Sequence, residues 1–113
     1  MTVKTILTAG ALLVSGTVFG QGPAGNADAA KTKISMCVGC HGVPGYKTAF
    51  PTVYHVPRIS GQHPTYLVNA LKAYKSGERN HPSMVGIASS LSEQDMADLA
   101  AYYGNKSDGS KGK

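Results

Sequence analysis

The chain has 113 residues, 42% of them hydrophobic, with two phenylalanines and no tryptophan. That length suits one small domain, in which a polypeptide core alone is marginal and a staple is commonly needed. The formal charge is +5, but there is no basic run and no interleaving of arginine with aromatics, which excludes a nucleic-acid-binding pattern.

Residues 1–20 read as a secretory signal peptide. Lys4 supplies a short positive region, and Ile6 to Phe19 form an apolar run too short to span a bilayer comfortably. Cleavage is expected at Gly20, since the alternative at Ala29 would intrude on the first helix; an uncleaved anchoring segment is the other reading. Cutting there removes Lys4 and leaves a formal charge of +4. The expected destination is the periplasm. A flexible lead-in over 21–25, a domain over 26–104 and a disordered tail over 105–113 complete the expected organisation.

The first helix is expected to start at Asn26 or Asp28, either a good N-cap, and to run through Ile34 and Met36 into the cysteines, with Ile34 and Val38 facing inward together. The only two cysteines then stand in Cys37-Val38-Gly39-Cys40-His41. Cys-x-x-Cys-His is the attachment signal for c-type haem. The two thiols add across the porphyrin vinyl groups, and the histidine is carried to the iron from one side. Three other readings of these residues fit less well. A thioredoxin-like redox motif wants a βαβ setting, and no convincing strand pattern is present. A four-cysteine zinc site needs a second pair, and a Cys2His2 site needs a downstream histidine pair at close spacing, whereas His55, His63 and His81 lie far apart. With both thiols in thioethers, no disulfide is available.

From Gly42 to Gly61, the residues Gly42, Pro44, Gly45, Pro51 and Pro57 forbid a continuous helix and mark an extended loop. Tyr46, Phe50 and Tyr54 either cover porphyrin surface or simply anchor that loop. A second helix opens at Pro64 with Leu67, Ala70, Leu71 and Tyr74 on one face, and Gly77 fits its C-terminus. Glu78 to Leu91 read as a second irregular stretch carrying Arg79, His81, Pro82 and Met84. The last helix opens on Ser92-Glu93-Gln94-Asp95, a capping-box-like start. Met96, Leu99, Ala100 and Tyr103 form its inner face, and Gly104 ends it.

An iron held by one histidine has an open sixth position. Met84 and His81, both after the second helix, are the candidates to fill it. Met96 reads as core, and Met36 stands beside Cys37 on the wrong side. In Cys37-Val38-Gly39-Cys40-His41-Gly42, Pro57-Arg58-Ile59-Ser60-Gly61-Gln62, Tyr66-Leu67, Gly77-Glu78-Arg79, Met84, Leu91-Ser92-Glu93-Gln94-Asp95 and Leu99-Ala100-Ala101-Tyr102-Tyr103, the chain resembles the class I c-type cytochromes. The likeness is to small bacterial monohaem members of the cytochrome c-553 kind and to single halves of dihaem ones. It implies an all-α fold of three main helices and long loops wrapped around one covalent haem c. It further implies His41 and Met84 as axial ligands, the Pro57 carbonyl accepting a hydrogen bond from the His41 ring, and Ile59 against the porphyrin. Arg58 and Arg79 are implied as propionate partners. His81, three residues before Met84, departs from the pattern and leaves bis-histidine ligation open.

A thioether ligand favours Fe(II), and filling both axial positions leaves no site for substrate. The expected function is therefore a periplasmic one-electron carrier rather than an enzyme. Its partners would be a dehydrogenase or membrane complex as donor and an oxidase or reductase as acceptor, with transient association at a membrane surface also open. Lys47, Lys72 and Lys75 either steer such docking or only keep the protein soluble. The alternatives are a haem subunit of a larger oxidoreductase, and a haem protein whose labile sixth ligand admits a small gas or peroxide.

Overall fold

Two helix starts in this chain are written by side-chain caps and two by a leading proline, as the computed structural model places them. It describes residue 20, residues 22–50 and residues 52–106. Most of the expected signal peptide and of the tail lies outside the described residues. The elements in order are α1 (Ala27–Ala30), α2 (Ser35–His41), β1 (Lys47–Thr48), β2 (Tyr54–His55), α3 (Pro64–Ser76), α4 (Pro82–Ser89) and α5 (Glu93–Asn105). The architecture is helical, with a minimal antiparallel ribbon pairing Lys47 with His55 and Thr48 with Tyr54. No helix among the described residues is long and apolar enough to cross a membrane.

Asn26 caps α1, its side chain accepting from the Asp28 and Ala29 amides at 3.0 and 3.3 Å. The expected single helix into the cysteines is broken by a turn over 31–34, although Cys37 and Val38 still donate to the Ile34 carbonyl at 2.9 and 2.8 Å. Ile34 packs against the core as expected, but Val38 is 49% exposed. The reason is angular. α2 turns Ile34, Cys37 and His41 inward at spacings of three and four, which rotates Val38 off that face.

α5 is the centre of the fold. Ser92 and Asp95 form a reciprocal capping box: Asp95 N–H donates to Ser92 Oγ at 3.1 Å and Ser92 N–H to Asp95 Oδ2 at 2.9 Å. The other Asp95 oxygen accepts from Lys33, tying the turn after α1 to the start of α5. α5 packs against α1 and α3, and α3 packs against α4. The core gathers Ala30, Leu67, Leu91, Met96, Leu99, Ala100 and Tyr103.

Gly104 lies inside α5 rather than ending it, and the reason is contact. A Cβ there would come within 2.5 Å of Pro64 Cγ and 3.1 Å of the Gln62 carbonyl oxygen, so only glycine lets the ends of α3 and α5 approach. The lead-in, expected to be flexible over 21–25, is pinned at its end. Gln94 donates to the Ala24 carbonyl at 2.8 Å, Asn26 N–H donates to Asp98 at 2.8 Å, and a Cβ on Gly25 would strike the Ala97 carbonyl.

The expected irregular stretch 78–91 is corrected over 82–89, which is helical. Pro82 supplies the first helical position, where its missing N–H is no loss, and holds the preceding His81 extended at φ −126°, ψ 115°. α3 ends as expected on Gly77, at φ 85°.

Candidate functional site

The inward face of α2 opens onto a cleft of about 330 Å3, inside the range of roughly 300–1,000 Å3 usual for small-molecule and cofactor sites. Cys37, Cys40 and His41 line it from α2, Pro57, Arg58 and Ile59 from the connection after the ribbon, and Arg79, His81 and Met84 from the entry to α4. Leu67 and Leu71 of α3, with Leu99 and Tyr103 of α5, close its apolar floor. Every site residue expected from the sequence thus lines one space.

Cys37 is half-buried against the core and Cys40 is exposed. Burial pushes the Cys37 thiol up, opposed in part by its hydrogen bond with Tyr103. Burial pushes the Tyr103 hydroxyl up as well, helped by the negative charge a Cys37 thiolate would carry. Among the described residues, no three His, Cys, Asp or Glu side chains gather as a metal cluster of the zinc kind.

His41 Nδ1 lies 2.6 Å from the Pro57 carbonyl oxygen. A carbonyl only accepts, so Nδ1 carries the ring proton and donates it, leaving the Nε2 lone pair as the group His41 can offer to a metal. The same bond fixes the ring plane. Ile59 packs on the core while facing the cleft. Arg58 and Arg79 also border it, the Arg79 guanidinium resting 4.9 Å above the Tyr74 ring.

The aromatic cover is narrower than the sequence suggests. Tyr54 lines the cleft, but Tyr46 and Phe50 do not, and Phe50 is 84% exposed. Tyr46 serves the loop through its backbone, accepting from Val56 N–H at 3.0 Å. Met36, placed by sequence on the wrong side, is one of the lining residues, and Tyr66, singled out only as part of the family resemblance, joins it. Two of the lysines considered for docking are engaged internally: Lys72 pairs with Glu93 at 3.1 Å, and Lys75 donates to the Leu91 carbonyl.

The set fits a haem attached through Cys37 and Cys40: two thiols, an imidazole with a free Nε2, a thioether on another wall, a broad apolar floor, and two arginines at the border. The Cytochrome c family matches residues 27–105. The chain belongs to that family. This cytochrome c is 43% identical over 86 residues to cytochrome c-554(548) from Halomonas halodenitrificans, covering 74% of this chain and 99% of that one. It is 36% identical over 83 residues to cytochrome c4 from Pseudomonas aeruginosa, covering 74% of this chain but 39% of that protein. A 34% match over 93 residues joins it to the thiosulfate dehydrogenase electron acceptor of Thiomonas intermedia, covering 82% of this chain and 41% of that one. The chain thus spans nearly all of one relative and about two fifths of the others. Membership makes this an electron-transfer protein with covalently bound haem c, working with redox partner proteins and not itself an enzyme.

Proposed function

We propose that this cytochrome c is a periplasmic one-electron carrier holding a single haem c, with His41 and Met84 as the axial ligands. The observation that carries the ligand reading is the hydrogen bond from His41 to Pro57, which commits Nδ1 and leaves Nε2 for the iron. Met84, on the first turn of α4, brings a soft thioether to the same cleft. Two cysteines in the whole chain supply one pair of thioethers and hence one haem, and residues 1–20 supply the export signal.

The haem, when bound, supplies the Fe(III)/Fe(II) couple. Cys37 and Cys40 fix its position, and Ile59, Leu67 and Leu99 exclude water from its neighbourhood. Burial in such a low-dielectric setting disfavours the more positively charged ferric state, and a thioether ligand favours Fe(II) as well. Both push the potential upward.

The oxidised protein should show the weak long-wavelength absorption band of a methionine–iron bond. Met84→Ala should abolish it and let carbon monoxide bind the reduced form. A spectrum untouched by Met84→Ala would overturn the ligand assignment. The likeness to the Thiomonas electron acceptor favours a second reading, in which the chain is the electron-accepting component of a larger oxidoreductase. A stoichiometric partner chain copurifying from native periplasm would select that reading over the free carrier.

A further inference from the structure

His41 and His81 both line the cleft, and they differ in what their Nδ1 atoms meet. His41 Nδ1 faces the Pro57 carbonyl at 2.6 Å. His81 Nδ1 is enclosed and meets no hydrogen-bond partner, the one buried side-chain nitrogen or oxygen so placed among the described residues. A buried polar atom without a partner asks for an explanation. An N–H sealed away from every acceptor is worse than a lone pair left alone, so the neutral ring holds its proton on Nε2. The group that His81 offers to the cleft is then an N–H donor, where His41 offers a lone pair.

The ring has little freedom to exchange these roles. Its backbone is held extended ahead of Pro82, and the ring meets Tyr54 edge-on at 5.3 Å between centroids. The surroundings specify what the donor is for. Arg79 and His81 line the cleft, and among the described residues none of the lining side chains is a carboxylate. A site with donors and no acids suits an anionic group, and the anionic groups of a haem are its two propionates.

We propose that His81 positions the haem by donating its Nε2–H to a propionate carboxylate, and that the same tautomer keeps it off the iron. This rests on the cleft being the haem site. It goes beyond that reading in giving a role to the residue that departs from the family pattern. A donor on a propionate draws off negative charge that would otherwise stabilise the ferric state. Losing it therefore lowers the potential.

The test uses the holoprotein in five variants. His81→Gln carries an amide N–H to about the place of Nε2, whereas His81→Asn carries it to about that of Nδ1, and His81→Phe keeps only the ring against Tyr54. The expected result is a potential lowered in His81→Phe and His81→Asn and restored in His81→Gln, with the propionate vibrational bands shifting in the same two variants. A fold defect alone would not follow that donor geometry. Met84→Ala and Met84→Ala/His81→Phe should give the same high-spin spectrum, both binding carbon monoxide when reduced. Equal potentials in all three His81 variants and wild type overturn the proposal. So does a low-spin Met84→Ala protein whose spectrum turns high-spin when His81 is also replaced. Failure of the axial-ligand reading is recognised separately, in the wild-type spectrum, by a missing methionine band.

Discussion

α5 and α2 both line the cleft and are built on opposite terms. α5 buries Met96, Ala97, Asp98, Leu99, Ala100 and Tyr103, while α2, which carries the haem-attachment motif, buries no residue fully. α5 packs against α1 and α3 and has a capping box at its start, with Leu99, Ala100 and Tyr103 also reaching the cleft. The inner face of α2 is given over to the cleft. The helix that holds the cofactor is therefore the one least held by protein, and the lesson is a division of labour. One half of the chain is a frame that the polypeptide stabilises; the other is a wall whose burial is the cofactor's to supply.

Losing the cofactor breaks this contrast most severely. In a Cys37→Ala/Cys40→Ala chain the thioethers cannot form, and a core of so few buried side chains lacks its staple. The expected outcome is a colourless protein with most of its cooperative thermal transition gone. Residual amide protection should concentrate in α3 and α5 and be absent from α2 and the ribbon. Equal protection in α2 and α5, by hydrogen exchange, would show that the two regions do not differ as their burial indicates.

The frame itself can be weakened without touching the cleft. Asp98 is 3% exposed and accepts from Asn26 N–H and Gln94 Nε2, each at 2.8 Å. Asp98→Ala strands the Asn26 N–H and leaves Gln94 only its bond to Ala24, and should cost about 1.5–3 kcal/mol, since hydrogen bonds to charged groups are the strong ones. The absorption spectrum should stay unchanged while chemical denaturation shifts to lower denaturant. A changed methionine band in this variant would mean that frame and wall are more tightly coupled than the packing suggests.

How much of this was legible follows from how local each signal is. Both ends of α3 and the start of α5 were readable because Pro64, Gly77 and Ser92 act on their own neighbours. α4 was not: it is eight residues long, with Gly86 inside, and Pro82 reads as a loop residue unless it is recognised as a helix start. The ribbon rests on two residue pairs, too little for a strand pattern. In the site, Cys37, Cys40 and His41 were fixed by their spacing, and Pro57 came through the family resemblance. Asp98 was missed because an aspartate in an amphipathic helix reads as surface; its partner Asn26 lies 72 positions away, beyond any window on the sequence. His81 was visible as an anomaly, but its enclosed Nδ1 is a fact of packing.

The smallest expected effect lies where frame and wall are stitched together. Hydrogen bonding from Lys33, with the Ser92 amide, holds the Asp95 carboxyl down at about 2, against an ordinary value of 3.8. A carboxyl with a lowered folded-state value stabilises the fold while it is ionised. Its contribution is complete above the ordinary value and drains away as pH falls from there through about 2. Asp95→Asn removes the charge and leaves one amide oxygen as acceptor, so the substitution deletes the ion pair together with one of the two hydrogen bonds. The variant should melt modestly lower than wild type at neutral pH, with the gap closing as pH drops below 3.8 and vanishing near 2. Because Lys33 stands in the turn leading to α2, the wall should loosen with the frame: hydrogen exchange in α2 should quicken in Asp95→Asn at neutral pH and match wild type in acid. A melting gap that persists unchanged to pH 2 would place the effect in cap geometry and detach it from the ion pair.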